Sequence, residues 1–129
     1  MKNSASLVTR RLLLAMGLSA SIHRAQAGPA PQLRLLMVRR KGCTYCAQWD
    51  REIAPIYADH PEGRLAPLIM VDVDGPYPDG LALARMPWLT PGFILLRDGQ
   101  EIGRYEGYPG ADRFFPMLRG LINEADRWG

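Results

Sequence analysis

Leu33-Arg34-Leu35-Leu36-Met37-Val38-Arg39-Arg40-Lys41-Gly42-Cys43-Thr44-Tyr45-Cys46 is the stretch that decides how this 129-residue chain is read. The apolar run from Leu33 to Val38 has little polar alternation, which predicts a strand buried on both faces. A helix is predicted to begin at Cys43. From Thr44 to about Ala58 the apolar residues Ala47, Ile53, Ala54, Ile56 and Tyr57 recur at helical intervals, with Pro55 expected to kink that helix rather than start one. Two cysteines one helical turn apart therefore sit at a strand-to-helix junction. They are the only two in the chain, so any sulfur chemistry begins and ends at this pair or continues on another molecule.

Outward from that stretch, His60-Pro61-Glu62-Gly63 is expected to close the helix, and Ala66 to Val73 reads as a second buried strand ended by Asp74-Gly75-Pro76. Leu81 to Met86 is read as a short helix. Gly92 to Leu96 reads as a third strand, Arg97-Asp98-Gly99-Gln100 carries the Asp-Gly hairpin signal, and Glu101 to Glu106 returns antiparallel as a fourth. From Ala111 to Trp128, Phe114, Phe115, Leu118, Leu121, Ile122 and Ala125 are spaced by three and four, which predicts an amphipathic helix with Pro116 near its first turn.

The first 27 residues read as an export signal: Lys2, Arg10 and Arg11, then an uncharged apolar segment from Leu12 to Ile22, then Ala25-Gln26-Ala27 before Gly28. The apolar segment is too short for a bilayer-spanning helix, so cleavage after Ala27 and no permanent membrane anchor are expected. Thr9-Arg10-Arg11-Leu12-Leu13-Leu14 partly matches a twin-arginine signal, and an ordinary signal that happens to hold two arginines fits as well. The whole chain has 16 basic and 13 acidic residues, but four of the basic ones, Lys2, Arg10, Arg11 and Arg24, precede Gly28. Downstream, acidic residues outnumber basic ones by one, so the positive charge of the full chain is no argument for nucleic acid. The remaining 102 residues suit one small domain, 28–129.

Strand, helix, strand, short helix, strand, strand, helix, with Cys-x-x-Cys at the first strand-to-helix junction, resembles the thioredoxin superfamily. Thr90-Pro91 stands just before the third strand, where that family carries a cis-proline, and Pro55 falls inside the first helix, as thioredoxins often have it. Gly42 replaces the tryptophan usual before the first cysteine, and the N-terminal strand and helix of full thioredoxins are missing. The fold expected is thus α/β and thioredoxin-like, a minimal glutaredoxin-like core whose four-stranded mixed sheet is flanked by helices. At closer range, Lys41-Gly42-Cys43-Thr44-Tyr45-Cys46, Trp49 to Tyr57, Thr90-Pro91 and Gly103 to Gly110 look like the SoxS-type thioredoxins of bacterial sulfur-oxidation gene clusters. That resemblance implies a periplasmic thiol–disulfide reductant that keeps or restores the cysteine of a sulfur-carrier protein.

The residues support a mechanism beside the family name. Cys43 at a helix N-terminus is the expected nucleophile, its thiolate favoured by free backbone N–H groups and by the basic trio Arg39, Arg40 and Lys41. Cys46, one turn on and more buried, is expected to resolve the mixed disulfide. Thr44, Tyr45, Thr90 and Pro91 are expected to meet substrate, and Lys41 and Gly42 to modulate the thiol. With no third cysteine, re-reduction needs an external thiol donor, expected to be a membrane reductase, and the other expected partner is a protein disulfide; no cofactor, metal or nucleic acid is expected, and the chain is expected to be a monomer.

Other readings stay open. The basic trio also suits a solvated loop, Trp49 suits packing as well as a groove wall, Tyr105, Tyr108 and Trp128 read as core or rim, and His60 as a helix-end residue. A zinc half-site would find only His60 beside the two thiols, against the usual four ligands. A Cu(I) chaperone would gain from nearby methionines, but Met37, Met70, Met86 and Met117 fall on predicted apolar faces. A docking module that keeps the fold without turnover is the third alternative.

Overall fold

The computed structural model describes residues 28–128, so the predicted export signal and its cleavage point lie outside the described residues. Strand β1 (Leu33–Arg39) is followed by α1 (Thr44–Glu52), α2 (Ala54–Tyr57), α3 (Pro61–Leu65), β2 (Leu68–Asp72), β3 (Gly92–Arg97), β4 (Gln100–Glu106) and α4 (Ala111–Trp128). The strands form one mixed sheet in the order β2-β1-β3-β4. β1 runs parallel to β2, with Val38 opposite Val71, and antiparallel to β3, with Val38 opposite Gly92.

Because successive side chains of a strand point to opposite faces, the unbroken apolar run of β1 feeds two cores. Leu35 and Met37 join Phe93 and Leu95 under the helices, packed by Trp49, Tyr57, Phe114, Leu118 and Ile122. Leu36 and Val38 join Ile94, Leu96, Val71 and Val73 on the other face. There the cover is the loop between β2 and β3, through Tyr77, Leu81 and Leu83.

That loop corrects the short helix expected over Leu81 to Met86. The segment is not helical, and its first part is extended: Ala82 bridges Gln100, its N–H donating to the Gly99 carbonyl and its own carbonyl accepting from Glu101. Leu81 and Leu83 turn inward while Ala82 stays exposed, a period of two that a strand satisfies and a helix does not.

Prolines account for most other differences. Pro55 does not kink one long helix; it divides two. Without an N–H, and with its ring crowding the carbonyl four residues back, it cannot continue α1, which ends at Glu52, and it lies instead in the first turn of α2, where its missing donor costs nothing. Likewise His60-Pro61 starts α3 rather than ending a helix, since the residue before proline is driven to extended backbone, here ψ 143° at His60. Pro116 sits in the second turn of α4, not the first, with its ring exposed. Trp128, expected in the core or rim, is 85% exposed at the chain end. The second strand begins at Leu68 rather than Ala66. The hairpin stands as expected: Asp98 and Gly99 both take positive φ, 50° and 83°, as a two-residue turn of this hand demands.

Candidate active site

Residues that follow the carboxyl ends of parallel strands gather at one edge of the sheet, and here those ends are Arg39 of β1 and Asp72 of β2. The loop from Arg40 to Cys43 delivers the cysteines to that edge. Gly42 takes φ +79° with nothing within 4 Å of where a side chain would start. Glycine is therefore required by backbone conformation and not by space, which explains why a tryptophan is not found there.

Cys43 is the N-cap of α1. Its sulfur accepts the Cys46 N–H at 3.2 Å, and the two sulfurs are joined as a disulfide with Cα atoms 5.2 Å apart. Once reduced, a sulfur at this position faces free N–H groups at the positive end of the helix, an arrangement that favours its thiolate. Cys43 is half-buried, whereas Cys46 is 1% exposed and lies in the apolar core beside Trp49. One sulfur can therefore meet another molecule and the other only its neighbour. Thr44 and Tyr45 between them face outward, Tyr45 being 60% exposed.

The register of β1 with β3 brings Thr90 and Pro91 to the same edge, because Gly92 lies opposite Val38 and the two preceding residues extend past it. The Thr90–Pro91 bond is cis. Pro91 is buried and its carbonyl accepts the Gly107 N–H, while Thr90 takes part in no backbone hydrogen bond among the described residues.

Of the basic trio, Arg40 and Lys41 make no ion pair among the described residues. The Arg39 guanidinium makes a two-pronged pair with Asp50 on α1, at 2.7 and 2.6 Å, so it tethers the end of β1 to the helix that carries both cysteines. This pair holds the Asp50 carboxyl below the usual carboxylate range, the hydrogen bond from Arg39 outweighing burial. Arg40 and Lys41 are exposed beside Cys43. Further along α1, Glu52 accepts a hydrogen bond from Tyr108; burial and then that bond raise the Tyr108 hydroxyl well above its ordinary value. Trp49, by contrast, is fully buried amid Tyr57, Phe93 and Phe114, as the packing reading had it.

An open groove of about 740 Å³ runs beside Cys43, walled by Arg39 to Thr44, Ala47 and Arg51 on one side and by Met70, Val71 and Asp72 on the other. The sequence reading missed Arg51, Met70 and Asp72. Arg51 lies two turns beyond Cys43, a spacing that was available; Met70 and Asp72 arrive only through strand pairing. Met70 is 47% exposed and Met86 63%, so neither lies on an apolar face as expected. Met70 puts a soft sulfur in the groove, but the Arg39 guanidinium contacts it at 3.7 Å and the surrounding cations oppose a metal cation. Among the described residues there is no cluster of three His, Cys, Asp or Glu side chains able to hold a metal ion.

Among solved structures, the periplasmic thioredoxin SoxS from Paracoccus pantotrophus, in its reduced form, is 52% identical to this chain, covering 73% of it and 99% of that protein, with a TM-score of 0.71. The chain belongs to the thioredoxin superfamily. It is a thiol–disulfide oxidoreductase of that superfamily, with Cys43 and Cys46 as its cysteine pair at bonding distance. The germline-specific thioredoxin Deadhead from Drosophila melanogaster, 18% identical over 70% of this chain and 81% of that one, shares the thioredoxin fold at a TM-score of 0.50. No protein-family model and no curated protein matches the chain.

Proposed function

We propose that this thioredoxin is a periplasmic reductase that restores the cysteine of a partner protein, in the first instance the sulfur-carrier protein of a sulfur-oxidation system. The carrying observation is the inequality of its two sulfurs, a half-buried Cys43 capping α1 above a buried Cys46, in a chain 52% identical to a periplasmic thioredoxin. The export-type sequence of residues 1–27 supports the compartment, and no helix among the described residues is long and apolar enough to cross a membrane.

The cycle starts from the dithiol. The Cys43 thiolate attacks one sulfur of the substrate disulfide, that S–S bond breaks, and the departing sulfur leaves as a thiolate that takes a proton from water. Cys46, having lost its proton to solvent, attacks the Cys43 sulfur of the mixed disulfide and expels the second substrate sulfur as a thiol. The substrate gains two electrons and the enzyme keeps the Cys43–Cys46 bond. In this reading Thr44 and Tyr45, between the cysteines, and Thr90 and Pro91, at the same edge of the sheet, meet the substrate, the backbone of Thr90 being available to an extended substrate strand, and Lys41 and Gly42 modulate the thiol. An external dithiol, in this reading a membrane reductase, returns the pair to the reduced state.

The test is the equilibrium potential of the Cys43/Cys46 couple against dithiothreitol and glutathione, joined to trapping with Cys46→Ser. A potential near −270 mV and a stable mixed disulfide between that variant and its partner are expected. A potential near −120 mV would turn the assignment into an oxidase, and a pair that never cycles would end it.

A further inference from the structure

The groove beside Cys43 has a charge that the exchange reaction does not by itself require. Of its four cations, Arg39 is neutralised by Asp50, while Arg40, Lys41 and Arg51 make no ion pair within 4 Å among the described residues. Its one carboxylate, Asp72, accepts the Asp74 N–H at 2.8 Å and so is partly occupied by its own turn. Three unpaired cations thus line the same groove as Cys43. At about 740 Å³ it is of a size that holds a ligand rather than a single ion. One such cation suffices to favour a thiolate. Three, spread from the loop before Cys43 to Arg51 two turns along α1, extend the positive field along the groove beside the sulfur.

We propose that this groove is an anion subsite, taking a carboxylate carried close to the reacting sulfur of the disulfide substrate. The inference rests on the exchange reading above and names its substrate class: disulfides flanked by negative charge are reduced in preference to neutral or basic ones. Electron flow is unchanged, the two electrons passing from the Cys43/Cys46 dithiol to the substrate S–S bond. The carboxylate has two possible sources, an acidic side chain next to the cysteine of a polypeptide or the carboxylates of a small thiol such as glutathione.

The experiment measures second-order rates of the reduced full-length protein with four disulfides. Two are one synthetic peptide disulfide with its cysteine flanked by two glutamates or by two lysines; the others are glutathione disulfide and the uncharged 2-hydroxyethyl disulfide. At low salt the glutamate peptide is expected to react about tenfold faster than the lysine peptide, the ratio falling toward one at about 0.5 M salt. Arg40→Glu, Lys41→Glu and Arg51→Glu, singly and together, are expected to erode and then reverse the ratio, with Arg127→Glu at the far end of α4 leaving it alone. The ratio is the readout because reversing charge beside Cys43 changes its thiolate, and hence every absolute rate, alike. A low-salt ratio within twofold of one, or one that survives the triple reversal, overturns the proposal. Glutathione disulfide outpacing the uncharged disulfide by the same factor assigns the subsite to a small thiol; an advantage confined to the peptide assigns it to a polypeptide. If 2-hydroxyethyl disulfide does not react at all, it is the exchange reading that has failed, whereas a normal rate with it and a flat peptide ratio sinks the subsite alone.

Discussion

Breaking the Arg39–Asp50 pair is expected to loosen the root of the cysteine loop by a measurable amount. The guanidinium donates two charge-assisted hydrogen bonds, at 2.7 and 2.6 Å, across the join between β1 and α1. A fully buried pair of this geometry would cost about 3–5 kcal/mol to break and an exposed one about 0.2–1 kcal/mol. With the two side chains 29% and 39% exposed, solvent screens much of the attraction. A coupling of about 1 kcal/mol follows, at the upper end of the exposed range because the contact is two-pronged. In a domain of this size that is about 4–8 °C in Tm. The assay is a double-mutant cycle by urea or thermal unfolding of the oxidised protein, with Asp50→Ala, Arg39→Ala and the pair, so that the contact of the Arg39 guanidinium with Met70 cancels. The cycle should hold its value down to about pH 5 and lose it as acid protonates Asp50, whose depressed carboxyl makes the folded state the weaker proton binder. A coupling below about 0.3 kcal/mol, within the error of additivity, would refute the tether.

Two further expectations concern the scaffold. Gly63 lies so close to the backbone carbonyl of Tyr57 that a Cβ there would overlap it, so Gly63→Ala should destabilise by about 3 kcal/mol, read as a drop in urea midpoint at unchanged m-value; a loss under 1 kcal/mol would mean that α3 shifts freely against α2. Acid stability should follow Glu62 and Glu101. Burial is the largest single influence and pushes each carboxyl up, but the hydrogen bonds from Arg119 or Arg104 and from the backbone, together with the nearby cations, hold both below the ordinary value. Folded protein therefore binds fewer protons than unfolded protein below about pH 4.5, so the stability these groups contribute is complete above that pH and is lost as pH falls through the folded values. Tm should be level from pH 7 to about 5 and then drop, with a shallower drop in Glu62→Gln; an acid limb of unchanged slope in that variant would remove Glu62 from the account.

The reactive pair was legible in the sequence because its information is local. A cysteine capping the N-terminus of a helix after a buried strand acquires its environment from its own backbone, and the spacing of three alone puts Cys46 one turn inside. The same holds for the Asp98-Gly99 turn and for the apolar face of α4. Where the reading went wrong, two local signals competed. Pro55 and Pro61 could each be taken as the flaw or end of one helix or as the first turn of the next, and which applies depends on whether the following residues find a core to pack against. Leu81 to Met86 has helix-tolerant composition, yet Leu81 and Leu83 bury on the second face of the sheet only if the chain is extended.

Periodicity, capping and chain connectivity were enough to put Cys43 at the end of a buried strand and the start of a helix, and to set an accessible sulfur one turn before a buried one. The surroundings of Cys43, by contrast, depend on contacts between distant parts of the chain. Asp50 removes Arg39 from the basic trio, and β2 brings Met70 and Asp72 beside residues some thirty positions earlier, completing a groove that includes Arg51. Charges add by distance through space and not along the chain, so the field that meets an incoming disulfide is set only once β2 has paired with β1 and α1 has docked.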